Sequence, residues 1–365
     1  MKRFLAMLLV LSLFLSACGL RGPDPYDPPT EATEPSSEPT EPPTQPTDPP
    51  TEPTEPPVLY RHPLNGTPLD QPWSGQITAV MINNLKKAMP QKGISQADIF
   101  YEIEVEGDIT RCLAVFSDLS NVPDIGPVRS ARTAFNSVAV AYDAPLVHCG
   151  GSPGLALAGR YGDSYDTIAN WEHIDQAYNA SYFYRDQERY NSGYAWEHVL
   201  FTKGEQLLKA LEAKGYNTPT DKTYGLEFDK DIQLGGEQAN EITVKFKGGK
   251  TTKLIYNAET GRYKLQMHGQ DHVDGNTGEV VTFKNVIAIY TKQWYASDGM
   301  HKFYDTIGSG EGYAAIDGEI VPIKWNREGL RTSYTYTLAD GTPLVLEEGN
   351  TYIALVGIKH DIAYQ

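Results

Sequence analysis

With 365 residues and a net charge of −16 (31 Lys+Arg against 47 Asp+Glu), the chain is too long for one average domain. It is also too acidic to grip nucleic acid or anionic lipid through bulk charge. Hydrophobic residues at 40% can supply a core, which excludes disorder throughout, and three cysteines exclude a disulfide scaffold. Fourteen of the 25 prolines and nine acids fall between Gly19 and Pro57, so the stretch from Val58 onward keeps a surplus of ten acids.

Lys2 and Arg3 precede an apolar run from Phe4 to Leu15, broken only by Ser12. The run is too short to cross ~30 Å of hydrocarbon as a helix, and it has the length of a secretory h-region. It ends in Leu15-Ser16-Ala17-Cys18, which resembles the bacterial lipobox, where small residues fit the peptidase and the cysteine thiol accepts diacylglycerol. Residues 1–18 are therefore expected to be a lipoprotein signal, with Cys18 the lipidation site. The expected partner of that end is the extracytoplasmic face of a bacterial cell membrane. Residues 19–57 repeat a Pro-Thr-Glu theme with almost no apolar side chains, and cannot repay the entropy of ordering. Proline holds such a stretch near polyproline II at ~3.1 Å per residue, a spacer with a reach on the order of 100 Å.

A first globular domain is expected over residues 58–216. Ile77 to Asn84 reads as a buried strand. Ile99, Tyr101, Ile103 and Val105 alternate with Glu102, Glu104 and Glu106, the period of a half-buried strand. A two-residue Gly107-Asp108 turn would return the chain through Ile109 to Phe116, with Glu106 facing Ile109, Glu104 facing Arg111 and Glu102 facing Leu113. Helical patterns follow in Thr133 to Tyr142, Leu155 to Arg160 and Lys203 to Lys214, with a short strand at Pro145 to Cys149 between the first two. A second domain, residues 229–365, reads as mostly strand, with Asp317-Gly318 and Asp340-Gly341 as hairpin turns. The fold class predicted is mixed α+β: a layered α/β N-terminal domain followed by a predominantly β C-terminal domain.

Three runs in order carry a resemblance: Gln96-Ala97-Asp98-Ile99-Phe100-Tyr101-Glu102, then Val105-Glu106-Gly107-Asp108-Ile109-Thr110-Arg111, then Gly126-Pro127-Val128-Arg129-Ser130-Ala131-Arg132. Together they resemble the YerB-like lipoprotein family, a domain family of unknown function. The resemblance implies a bacterial lipoprotein of two α/β-type domains, spanning approximately residues 63–210 and 229–356, and no established reaction. Where the family pattern has Pro-His-Asn near the end of the first domain, this chain has Glu197-His198-Val199, so only His198 carries over.

Several constellations compete for a function. Gly150-Gly151-Ser152-Pro153-Gly154 has the G-x-S-x-G spacing of a nucleophile elbow, but Pro153 has no N–H to give an oxyanion hole, and the bland alternative is a glycine-rich turn into a helix. Glu102 and Glu106 are weak catalytic candidates, as paired carboxylates of an envelope glycan hydrolase or as a solvated sheet face. Arg111, Arg129, Arg132, Arg185 and Arg189 are numerous for an acidic domain, and with His148, Ser152 and His198 they are the expected ligand-binding set. Arg129 and Arg132 at a helix start would project together toward a phosphate or carboxylate, and His148 and Ser152 would flank a strand end. The alternative for the arginines is ion pairing within the fold. The aromatics from Trp171 to Trp196 are either a sugar platform or core. His268 and His272 are four apart in a glycine-rich loop, so no metal is expected, nor any cofactor. The leading expectation is a binding module for an anionic or glycan ligand of the cell envelope. The competing classes are a glycan hydrolase and a protein-interaction scaffold.

Overall fold

In a computed structural model the described residues are 60–151, 172–216, 222–296 and 299–365. Cys18, the spacer, Ser152, Trp171 and the expected Leu155 to Arg160 helix lie outside them. Residues 57–365 form one compact unit in which strand predominates over helix.

An eleven-stranded sheet organises this unit. Its path runs Glu237–Gln238, Glu319–Arg327, Gly308–Ile316, Asn285–Thr291, Thr351–Gly357, Ile99–Glu104, Thr110–Phe116, Thr78–Asn83, Leu146–His148 and His173–Asp175, with Thr335–Leu338 paired beside Glu319–Arg327. The residue ranges expected as two domains therefore share a sheet. The join is the parallel pairing of Thr351–Gly357 with Ile99–Glu104, Tyr352 opposite Phe100 and Ala354 opposite Glu102.

The central strands are apolar on consecutive residues because both faces are covered. Val80 and Ile82 enter one core cluster with Phe100, Leu207 and Leu211 of the Gly204–Lys214 helix, and Ile242, Leu254 and Leu265 of a second, six-stranded sheet. Ala79 and Met81 enter the other with Phe135, Val138 and Ala139 of the Thr133–Ala141 helix and with Trp325, Tyr334 and Tyr336. That helix is tied to the second sequence segment by Arg327. This buried guanidinium donates to the Ser137 hydroxyl and carbonyl and to the carbonyls of Thr306, Leu330 and Thr332.

Of the three expected turns, Asp317-Gly318 and Asp340-Gly341 reverse the chain as hairpins and the third changes register. Asp317 (φ 49°) and Gly318 (φ 81°) are the two left-handed residues of a tight hairpin, as an Asp-Gly pair demands. At the acidic hairpin, by contrast, Glu106–Asp108 forms a three-residue turn closed by Val105 N–H donating to Ile109 O at 2.8 Å. Glu104 then pairs with Thr110, Ile103 with Arg111 and Glu102 with Cys112. The expected pairing was one residue off, and one residue reverses the face of every side chain. Glu102 and Glu104 stay together on one face, Arg111 points to the other, and Glu106 leaves the strand.

Glu102 is fully buried and fastens the chain around this junction. Its Oε1 accepts from Asn84 Nδ2 (3.0 Å) and Thr110 Oγ1 (2.6 Å), and its Oε2 from Thr252 Oγ1 (2.8 Å) and Tyr352 OH (2.7 Å). Lys250 Nζ adds an ion pair at 3.7 Å. Removing one partner of such a buried pair costs about 3–5 kcal/mol, because the other charge is stranded. Glu102→Ala is expected to lose about that much stability in urea unfolding, and Glu102→Gln, which keeps an acceptor, clearly less. A loss below about 1 kcal/mol for the alanine variant would show that the junction does not depend on Glu102.

Candidate functional site

Each of the five arginines has a partner among the described residues. Glu106 holds two of them: Arg111 Nη2 at 3.1 Å, and Arg132 through Nε at 2.9 Å and through Nη2. Arg111 also donates to Ser130 O, and Arg132 to Ala131 O. Arg129 precedes the helix, between the bridged residues Val128 and Ala131, and lies 3.6 Å from Glu197. Arg185 donates to Trp196 O and lies 4.2 Å from its ring centroid. Arg189 donates to the Ala88 and Pro90 carbonyls and stacks on Tyr194.

The histidines have local partners too. His148 ends a strand parallel to Thr78–Asn83 and His173–Asp175, at the carboxyl edge where such sheets place ligands. Its Nδ1 must donate to Gly150 O (2.7 Å), which leaves Nε2 to accept from His173 Nδ1 at 3.1 Å, and burial lowers its pKa. His198 Nδ1 accepts from Asn83 Nδ2 at 2.9 Å, with burial again favouring the neutral ring. Cys112 is buried and Cys149 half-buried; both are free thiols whose pKa burial raises.

Neither carboxylate candidate is placed as a general acid. The acceptor positions of Glu102 are filled by four donors. For Glu106, burial would raise the carboxyl, but the Arg132 hydrogen bonds and the Arg111 and Arg132 charges outweigh it and hold the pKa at about 2. It is ionised wherever a glycosidase acid must carry a proton.

A basic, aromatic cavity of about 560 Å³ lies elsewhere, and no candidate residue anticipated it. Lys247, Lys292, Lys302, Lys359, Trp294 and Tyr295 line it, together with Gln293 and His360. Three pieces of backbone bring them together. The Gln293–Tyr295 strand pairs with Lys302–Tyr304, so that Tyr295 sits opposite Lys302. A turn at Lys247–Gly249 links two strands of the six-stranded sheet. Ile358, Lys359 and His360 follow the Thr351–Gly357 strand.

Glu104 anchors this cavity from the acidic hairpin. It is ion-paired to Lys302, lies 3.5 Å from His360 Nε2, and accepts from Lys247 N–H at 3.4 Å. Lys247 Nζ reaches Asp108 (3.2 Å) and the Tyr295 hydroxyl (2.8 Å), and these hydrogen bonds raise its pKa. Lys247 and Lys302 each stand 5.5 Å from the Tyr295 ring centroid. Lys292 and Lys359 are exposed, and among the described residues no carboxylate pairs with either. Two cations are thus committed to the frame and two are left for a ligand.

Two consecutive family profiles match the chain: the N-terminal domain of "Protein of unknown function (DUF3048)" over residues 65–217, and its C-terminal domain over residues 242–353. The chain belongs to this family. A relative from Bacillus subtilis (strain 168), "Putative lipoprotein YerB", is 28% identical over 302 residues, spanning 80% of this chain and 85% of that protein. The crystal structure of YerB protein from Bacillus subtilis superposes with a TM-score of 0.69 at 26% identity, covering 83% of this chain and 99% of that one. The cavity draws on both matched regions, through Glu104 and Asp108 from the first and Lys247, Lys292 and Lys302 from the second.

The one local signal for this cavity was Lys292-Gln293-Trp294-Tyr295, a basic and aromatic run directly after an apolar strand. The other lysines are contributed by distant turns.

Glu106 yields a pH signature. Its carboxyl falls from an ordinary 4.5 to about 2 on folding, so between those values the unfolded chain binds more protons. The stabilisation is complete above pH 4.5 and is lost as pH falls toward 2. Melting curves from pH 2.5 to 7 should therefore converge for wild type and Glu106→Gln at the acid end and separate at neutral pH. Parallel curves across the range would contradict the Arg111–Glu106–Arg132 linkage.

Proposed function

We propose that this protein is a lipid-tethered extracytoplasmic binding module, and that the lysine and aromatic cavity holds an anionic glycan or polyol ligand of the bacterial envelope. The carrying observation is the pair of uncommitted lysines, Lys292 and Lys359, beside Trp294 and Tyr295 in a cavity of ligand size. Ammonium groups attract carboxylate or phosphate, and aromatic faces pack against the apolar faces of sugar rings. The binding site assigned from sequence to the arginines is thereby moved to the second segment. The tether rests on the lipobox-like Leu15-Ser16-Ala17-Cys18 and on the relative named as a lipoprotein.

Two measurements check this reading. Full-length Cys18→Ala should leave the detergent phase and the membrane fraction, and unchanged partitioning would sink the lipid anchor. Lys292→Gln with Lys359→Gln should leave the melting temperature within about a degree, since both side chains are exposed and pair with no carboxylate among the described residues, while affinity for an acidic oligosaccharide falls about tenfold or more. Equal binding by wild type and double variant would remove the cavity from consideration.

A further inference from the structure

The lysine cavity is not closed at its inner end. It shares Lys292, Ile358 and His360 with a second cavity of about 660 Å³. That one shares Tyr290 and Glu311 with a third, of about 240 Å³. The three form one groove across the Asn285–Thr291, Gly308–Ile316 and Glu319–Arg327 strands. Either of the first two alone is large enough for a drug-sized ligand. A single small anion would use one and leave the others unexplained.

The chemistry changes along the groove. Its first end is cationic. In the middle stand Asp305, Ser309 and Glu311, groups that accept hydrogen bonds from hydroxyls and repel closely spaced anions. At the far end Lys324 stands opposite Glu311 in register, beside Tyr313. Glycine is required at two positions of the floor. Gly308 has φ 120°, a conformation L side chains rarely adopt, and Gly310 leaves room for the Trp325 indole, whose Nε1 would lie 2.6 Å from a Cβ there.

We infer, resting on the function proposed above, that the ligand is a linear hydroxyl-rich polymer with intermittent anionic groups, laid from the lysine end past Ser309 toward Tyr313. Its anionic group sits among Lys292 and Lys359, and its hydroxyls meet Asp305 and Glu311. Carboxylate-bearing sugars and phosphodiester-linked polyols share this chemistry, and the test separates them.

The full-length protein in detergent is titrated calorimetrically with two length series: hyaluronan oligosaccharides from one disaccharide upward, in which carboxylates alternate with uncharged sugars, and ribitol phosphate from monomer to short poly(ribitol phosphate), in which several free hydroxyls separate successive phosphates. Affinity in one series should climb about tenfold or more with length and then level off once the groove is filled. The series that climbs identifies the source of the anion. Ser309 is exposed on its strand, so Ser309→Trp should block the middle, abolish the gain with length and leave monomer affinity unchanged. Lys324→Glu, at the far end, provides a second variant that should lower long-chain affinity alone. Length-independent binding that Lys292→Gln still weakens would overturn the groove and spare the cavity. A length gain untouched by both Ser309→Trp and Lys324→Glu would equally overturn it. No binding by any member of either series would overturn the cavity reading together with the groove.

Discussion

The structure turns on where one buried carboxylate finds its hydrogen bonds. Glu102 reaches Asn84, Thr110, Thr252 and Tyr352, side chains from positions up to 250 residues away in the sequence. In the sheet, Ile99–Glu104 is the strand on which the early and late parts of the chain meet. An ionised group in that position is tolerable only if every lone pair is occupied, since an unpaired buried charge costs several kcal/mol. The carboxylate therefore does more than add stability. It disfavours any register in which its partners are displaced, because each displacement would strand a charge. With Glu102 held, Glu104 two residues on must share its face and meets Lys302, while Glu106 passes into the turn and meets Arg111 and Arg132. Core, cavity and arginine cluster follow from one strand's registration.

Sequence periodicity was sufficient where structure is local. The second segment's strands and its Asp317-Gly318 turn needed only apolar runs, β-branched residues and the left-handed preference of Asp-Gly. It was insufficient where a single residue decides. Gly107-Asp108 has the look of a two-residue turn, yet the loop takes Glu106 as well, because Arg111 and Arg132 hold that carboxylate outside the ladder. The parallel pairing of Thr351–Gly357 with Ile99–Glu104 has no local trace at all. Thr351–Gly357 is a plain apolar run, Ile99–Glu104 alternates apolar residues with acids from Tyr101 on, and a separation of about 250 positions leaves no pattern that names the partner.

The same contrast separates arginine from lysine. A guanidinium presents five donors in a rigid fork, and in an acidic chain rich in turns it readily finds carbonyls and carboxylates within its own neighbourhood. Arg185 and Arg189 end on backbone carbonyls and aromatic rings, and Arg111 and Arg132 end on Glu106. Four of the five arginines picked out by the sequence are engaged in this way. Lysine, a compact and strongly hydrated charge on a flexible stem, can remain exposed at a surface, as Lys292 and Lys359 do with no paired carboxylate among the described residues. Their contribution to a site could not be read before the fold had placed them beside Trp294 and Tyr295.

The proposed function asks a basic groove to capture anions against the mean field of a body with ten surplus acids, preceded by residues 19–57 with eight more. Range resolves the conflict. At physiological ionic strength exposed charges are screened beyond ~8 Å, so a ligand some tens of ångströms away feels little of that surplus. Inside the groove the ammonium groups act at contact distance, next to aromatic surface that excludes water and strengthens the attraction. The acids elsewhere then work for selectivity. On the proposed reading, a chain with closely spaced anions would meet Asp305 and Glu311 as well as the lysines, whereas one with widely spaced anions and free hydroxyls would meet complementary groups along its length. If residues 19–57 are the proposed spacer, their own acids would repel an anionic wall polymer there and leave the groove as the place for it to bind.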